Sequence, residues 1–147
     1  MTSLERTARI LMIDDNAGDV RLMQEAFREA GFAYEMKVAQ DGTEAFSLLR
    51  PAGSVPVLFK PDLIFLDLKL PRRNGIEILE ELKTDPLLKR IPVVILSSSY
   101  SDMDIRQCYE LYANCYISKP ALYKDLVETA VFLKKFWFET VRLPKEH

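Results

Sequence analysis

The chain alternates short apolar runs with longer amphipathic stretches. Residues 8–13 (Ala8-Arg9-Ile10-Leu11-Met12-Ile13), 62–66 (Asp62-Leu63-Ile64-Phe65-Leu66) and 91–96 are nearly continuous apolar runs. That is how strands buried on both faces of a parallel sheet read. Two shorter strands are predicted at 34–39, where Tyr34, Met36 and Val38 alternate with polar residues, and at 115–117. Between them the period becomes helical. Val20, Leu22, Met23, Ala26, Phe27 and Ala30 carry a first helix that Gly31 stops, and Ala45, Phe46, Leu48 and Leu49 a second that ends before Pro51. Ile76, Ile78, Leu79 and Leu82 carry a third, ended by Asp85-Pro86. Ser101 or Asp102 caps a fourth with Ile105, Tyr109, Leu111 and Tyr112 as its apolar positions, and Leu122 opens a long terminal helix. Five strands alternating with five helices predict an α/β fold, a parallel sheet with helices on both faces and right-handed crossovers. The stretch Pro51 to Pro61, interrupted by proline, reads as a surface insertion.

Bulk properties narrow the classes. The 147 residues suit one domain, and an apolar fraction of 48% is too high for a disordered chain. A formal net charge of −2 offers no general attraction to nucleic acid or anionic lipid. No apolar run approaches the ~20 residues that span a bilayer, and Met1 to Arg6 lacks the apolar core of a secretory signal. Cys108 and Cys115 have neither a disulfide framework nor metal-ligand spacing. The expected location is therefore the cytoplasm. His147, at the chain's end, is the one histidine, which excludes catalysis by an internal histidine.

The chemistry lies at the strand ends. Asp14 and Asp15 follow the first strand, Asp67 follows the third, Ser97 ends the fourth and Lys119 follows the fifth. In an open parallel sheet these positions share one rim, where such folds bind their ligands. Taken singly, each has an ordinary reading: a turn or cap aspartate, a polar loop serine, an exposed lysine. Together they describe a site for a divalent cation and a phosphoryl group. Clustered carboxylates raise one another's pKa unless a cation intervenes, and Mg²⁺ suits one or two carboxylates plus water and phosphate oxygen. Asp67, leaving a buried strand, is the candidate nucleophile toward phosphorus. Lys119 is a point charge for a phosphate oxygen, and Ser97 a hydrogen-bond donor to another.

These positions resemble the receiver domain of two-component response regulators, over roughly residues 8–138. The acidic pair is matched by Asp14-Asp15, the phosphoacceptor by Asp67 in Leu66-Asp67-Leu68-Lys69-Leu70-Pro71, and the glycine turn by Asn74-Gly75. Ser97 matches the Thr/Ser after strand four, Lys119 in Lys119-Pro120 the family lysine, and Tyr116 the aromatic switch residue. The resemblance implies a flavodoxin-like, doubly wound five-stranded sheet of order 2-1-3-4-5 forming one receiver domain over 1–147, with a C-terminal extension from about 139. It implies phosphoryl transfer from a histidine kinase to Asp67. Mg²⁺, for which Mn²⁺ could substitute, would be held by Asp15, Asp67, the backbone carbonyl of Lys69 and, through water, Asp14. Lys69 and Ser99 match positions that tune hydrolysis in relatives, and the bond before Pro120 is commonly cis in the family. Lys89-Arg90-Ile91-Pro92-Val93-Val94, Tyr109-Glu110-Leu111 through Asn114-Cys115-Tyr116, and Phe136-Trp137 through Leu143-Pro144 are similar to the response regulators of cyanobacterial and bacterial phytochromes. That implies a phytochrome kinase as partner and a signalling protein rather than an enzyme.

Two further expectations follow. On phosphorylation Ser97 moves toward the phosphoryl group and Tyr116 rotates into the space it leaves; the plainer reading makes Tyr116 simple strand packing. In the terminal helix Leu126, Ala130, Leu133 and Trp137 share one stripe at ~100° per residue, with Val127, Val131 and Phe138 on one flank and Phe132 and Phe136 on the other. So wide an apolar surface predicts a homodimer interface through Phe132, Phe136, Trp137, Phe138, Val141 and Leu143; the alternative is that the tail folds over its own domain. The rival function is a phosphatase or hydrolase forming an aspartyl phosphate. It would want a second aspartate where Lys69 stands. A flavin carrier would want a phosphate loop where Asp14-Asp15-Asn16 stands, and a phosphorylation-silent scaffold would not need the complete set of residues.

Overall fold

The computed structural model describes residues 7–50 and 59–144. Met1 to Arg6, most of the Pro51–Pro61 connection and His147 lie outside the described residues. The elements run β1 (Ala8–Ile13), α1 (Ala17–Glu29), β2 (Tyr34–Ala39), α2 (Gly42–Leu49), β3 (Leu63–Leu66), α3 (Gly75–Thr84), β4 (Val93–Ser97), α4 (Asp102–Glu110), β5 (Cys115–Ser118) and α5 (Tyr123–Leu133). The strands form one parallel sheet of order β2-β1-β3-β4-β5. The expected flavodoxin-like topology is present.

The two-residue period of the strands builds two cores. Leu11, Ile13, Ile64, Leu66, Val93 and Ile95 face one side and pack with Phe46 and Leu49 of α2, Ile78, Leu79 and Leu82 of α3, and Cys108 of α4. Ile10, Met12, Leu63, Phe65, Val94 and Leu96 face the other and pack with Met23 and Phe27 of α1 and Leu126, Ala130 and Leu133 of α5. Four helices begin on side-chain caps: Asn16, Asp41, Asn74 and Ser101 each accept the backbone N–H three residues on. Helix α1 stops at Gly31, whose φ of +74° suits glycine.

The structure departs from expectation in three places. Helix α4 buries Cys108 while Tyr109 is exposed, because this short helix meets the sheet along a narrow line, and Tyr112 lies beyond the helix in a turn with φ +72° that points it outward. The terminal helix is not uniform: after Leu133 it widens into a π-helical segment, Lys134–Thr140, closed by the Val141 N–H donating to Phe136 O (2.9 Å). That segment turns Trp137 into the chain's own core, and Phe138, Val141 and Leu143 pack partly against the same cluster. Phe138 meets Phe32 at 5.3 Å between ring centroids. Four of the six residues expected at a dimer interface therefore serve, wholly or partly, to close the domain on itself. Phe132 and Phe136 remain outward, stacked on each other at 5.6 Å.

Candidate functional site

Register places the site. Ile13 pairs with Leu66, Leu66 with Ile95 and Ser97 with Ser118, so the strands leave the sheet nearly level. The ladder continues one residue further, with Asp67 N–H donating to Ile13 O (2.9 Å), Asp14 N–H to Ala39 O (3.0 Å) and Lys119 N–H to Ser97 O (2.8 Å). Asp14, Asp67 and Lys119 are thereby fixed at the backbone on one rim, where the strand order reverses between β1 and β3. The loop after Asp67 is held by Gly75, whose N–H donates to Leu68 O (2.7 Å).

Lys119 Nζ is the centre of the site. It donates to Asp14 Oδ2 at 3.0 Å, Asp67 Oδ2 at 3.1 Å and Asp19 Oδ2 at 2.9 Å. Asp14 and Asp67 are buried, and their second oxygens accept the N–H of Asn16 (2.9 Å) and of Lys69 (3.3 Å). Burial is the largest influence on both Asp14 and Lys119, yet the outcomes differ. It raises the Asp14 carboxyl, because the Asn16 N–H and the shared ammonium do not outweigh it and the charge on Asp67 adds to it. It acts to lower Lys119, but the hydrogen bonds that the ammonium donates to Asp19 and Asp14, and the charges of Asp14 and Asp67, outweigh it and hold the ammonium charged. Three acids act on one lysine, whereas each acid has only a share of it.

The other expected residues are placed as follows. Asp15 is exposed beside the cluster, and among the described residues no three acidic, cysteine or histidine side chains converge as a metal-ligand group. The donor chemistry still fits a hard cation, because the Asp14 and Asp67 oxygens meet at one point and Mg²⁺ needs only one or two carboxylates besides water. Lys69 is exposed. Ser97 is fully buried, and its Oγ accepts the Ser99 N–H (3.2 Å). The Tyr116 ring is half-buried, and its hydroxyl donates to Ser99 O (3.1 Å), to which Ser118 Oγ also donates (3.3 Å). The aromatic residue and the serine loop are thus already joined through one carbonyl. The Lys119–Pro120 peptide is trans. Asp19 was not foreseen: it reads as an acid in the first turn of a helix, 100 residues from its lysine in the chain.

A buried aspartate at a parallel strand's end, bonded to a lysine that follows the last strand and sharing it with a second buried acid, is the arrangement expected of a receiver. The chain belongs to the response regulator receiver domain family, which it matches over residues 10–131. It is 41% identical to the response regulator Rcp1 of Synechocystis sp. over 92% of each chain. The structure of the phosphorylated cyanobacterial phytochrome response regulator RcpA superposes with a TM-score of 0.87 at 42% identity, covering 95% of this chain and 100% of that one. The Mn²⁺-bound form of Rcp1 superposes with a TM-score of 0.84 at 40% identity, covering 94% and 99%. The protein is therefore a signalling response regulator related to those of phytochromes, and nothing favours the hydrolase alternative. Among the described residues no helix is long and apolar enough to cross a membrane.

Proposed function

We propose that Asp67 accepts a phosphoryl group from a phosphohistidine on a sensor histidine kinase of the phytochrome class, in the cytoplasm. The observation that carries this reading is the Lys119 ammonium shared by Asp14 and Asp67. An Asp67 carboxylate oxygen attacks phosphorus, the P–N bond to the imidazole breaks, and an acyl phosphate forms. Water later cleaves it to inorganic phosphate and the free carboxylate. Lys119 presents an N–H to a phosphoryl oxygen and holds positive charge there. Ser97 Oγ gives up the Ser99 N–H to donate to another phosphoryl oxygen. That frees the Ser99 segment, and with it the carbonyl that holds Tyr116. Asp15, Asp67 and the Lys69 carbonyl, with Asp14 through water, would hold Mg²⁺, as RcpA and Rcp1, named for phosphorylated and Mn²⁺-bound forms, encourage. When bound, the ion would neutralise charge on the transferring group.

The output is a change in protein association, self-association through Phe132 and Phe136 included. The test is acetyl phosphate with Mg²⁺, read by intact mass. The expected result is one added phosphoryl group, base-labile and absent from Asp67→Asn. No addition to the unmodified protein would reject the reading.

A further inference from the structure

Asp19 is a carboxylate that phosphoryl transfer, as derived above, does not require. Its backbone is set by the Asn16 cap, which accepts the Asp19 N–H at 3.0 Å. Its Oδ2 takes the shortest of the three bonds to Lys119 Nζ, 2.9 Å against 3.0 Å for Asp14 and 3.1 Å for Asp67. An ammonium has three N–H donors and no more. All three are occupied, so a phosphoryl oxygen gains a Lys119 donor only by displacing a carboxylate. The side chains of Asp14 and Asp67 are 4% and 11% exposed, whereas that of Asp19 is 41% exposed. Losing the lysine would leave a buried acid unpaired, but water can solvate Asp19. Asp19 is therefore the partner that yields most cheaply and the one that returns when the site empties.

Resting on the phosphoacceptor reading, we propose that Asp19 is a positioning residue that competes with the phosphoryl group for Lys119. Its hold on the ammonium sets how readily the site accepts a phosphoryl group and how long it keeps one. It also adds a negative charge on the face from which an anionic donor approaches, so both effects act in one direction.

The experiment measures affinity for the phosphoryl mimic beryllofluoride at saturating Mg²⁺, by calorimetry, for the unmodified protein, Asp19→Asn, Asp19→Ser and Asp19→Glu. Removing the competitor is expected to tighten binding about five- to tenfold in both neutral variants, the net scale of one partly solvated hydrogen bond. The half-life of the phosphorylated form should lengthen in parallel. Asp19→Glu, which keeps the charge, should return affinity toward the unmodified value; a purely structural role would not follow charge this way. Unchanged or weaker binding in the neutral variants, with the unmodified protein binding normally, overturns the competition and leaves the phosphoacceptor reading standing. Failure of the unmodified protein to bind the mimic removes both.

Discussion

Gly75 and Asp67 are packed backbone against backbone. A Cβ on Gly75 would collide with the Asp67 carbonyl oxygen and stand 2.7 Å from Leu68 Cα, atoms that do not yield as a flexible side-chain tip does. The glycine is required by this close approach, and it ties the start of α3 to the loop that follows Asp67. Gly75→Ala should cost about 1–3 kcal/mol by overpacking and displace Asp67 from Lys119. The measurements are urea unfolding and the rate of labelling by acetyl phosphate. Unchanged stability and labelling would show that the loop can shift freely.

Burial makes the Asp14 charge costly to the fold. Its carboxyl is raised above the ordinary 3.8, chiefly by burial. Protonation therefore stabilises the folded state, fully so below the unfolded value, and that gain is lost as pH rises through the folded value. At neutral pH the charged form is a net cost. Asp14→Asn should stabilise the metal-free protein by on the order of 1 kcal/mol at pH 7, with the gain vanishing in the acid range. The same change should reduce the rise in melting temperature that Mg²⁺ produces. Melting curves at pH 7 and pH 4, with and without Mg²⁺, check both halves.

How far the sequence carried this reading depends on the range of each interaction. Asp14, Asp67 and Lys119 were legible because strand period and strand ends are local signals, and a parallel sheet aligns those ends. Asp19 was not, because its role arises from a side chain that meets Lys119 across the fold. Trp137 shares a stripe with Leu126, Ala130 and Leu133, yet its apolar neighbours put it at the expected dimer interface, and the structure buries it in the domain's own core instead. The π-helical widening that carries Phe138 to Phe32 is invisible to a 3.6-residue period. In and just after α4 the apolar residues Tyr109 and Tyr112 looked like core, but Cys108 took that place, since the helix ends at Glu110 and has room for few buried positions.

A surface network braces α2 against α3. Arg50 donates to Glu81 Oε2 (2.8 Å) and to Asp85 Oδ2 (3.0 Å) and covers the Phe46 ring at 4.4 Å. Burial would raise both carboxyls, but hydrogen bonds from Arg50, joined by Arg73 at Glu81 and by backbone N–H groups at Asp85, hold them below their ordinary values. Lowered carboxyls contribute stability that is present above the unfolded values of 4.5 and 3.8 and lost as pH falls through the folded ones. Arg50→Met keeps much of the apolar stem and should cost about 1 kcal/mol at pH 7, since Arg50 is partly solvated. The difference from the unmodified protein, read as urea midpoints, should shrink as pH falls below the ordinary carboxylate range. A gap that does not change with pH would assign the effect to packing over Phe46 instead.

Phe132, Phe136 and Trp137 are neighbours in sequence with opposite assignments. Trp137 is buried with Leu133 and Ala130, and its indole N–H, without a well-formed hydrogen bond, lies beside the Cys115 thiol. Trp137→Ala should cost about 3–5 kcal/mol, the range for a large core aromatic, and loosen the tail beyond Leu133. Phe132 is 54% exposed, whereas Phe136 is 38% exposed and meets Trp137 edge-on at 5.1 Å, so replacing both with serine costs the monomer some of its own packing as well. Their stacked faces are surface that a second copy would cover. Sedimentation at micromolar concentration, with beryllofluoride and Mg²⁺ present, should show self-association in the unmodified protein and its loss in Phe132→Ser/Phe136→Ser, with the single change Phe132→Ser, at the more exposed ring, expected to keep stability within about 0.5 kcal/mol. A monomer throughout would remove the dimer. A dimer that survives the double change would place its contact on another face, such as the one that exposes Tyr100, Met103 and Tyr112.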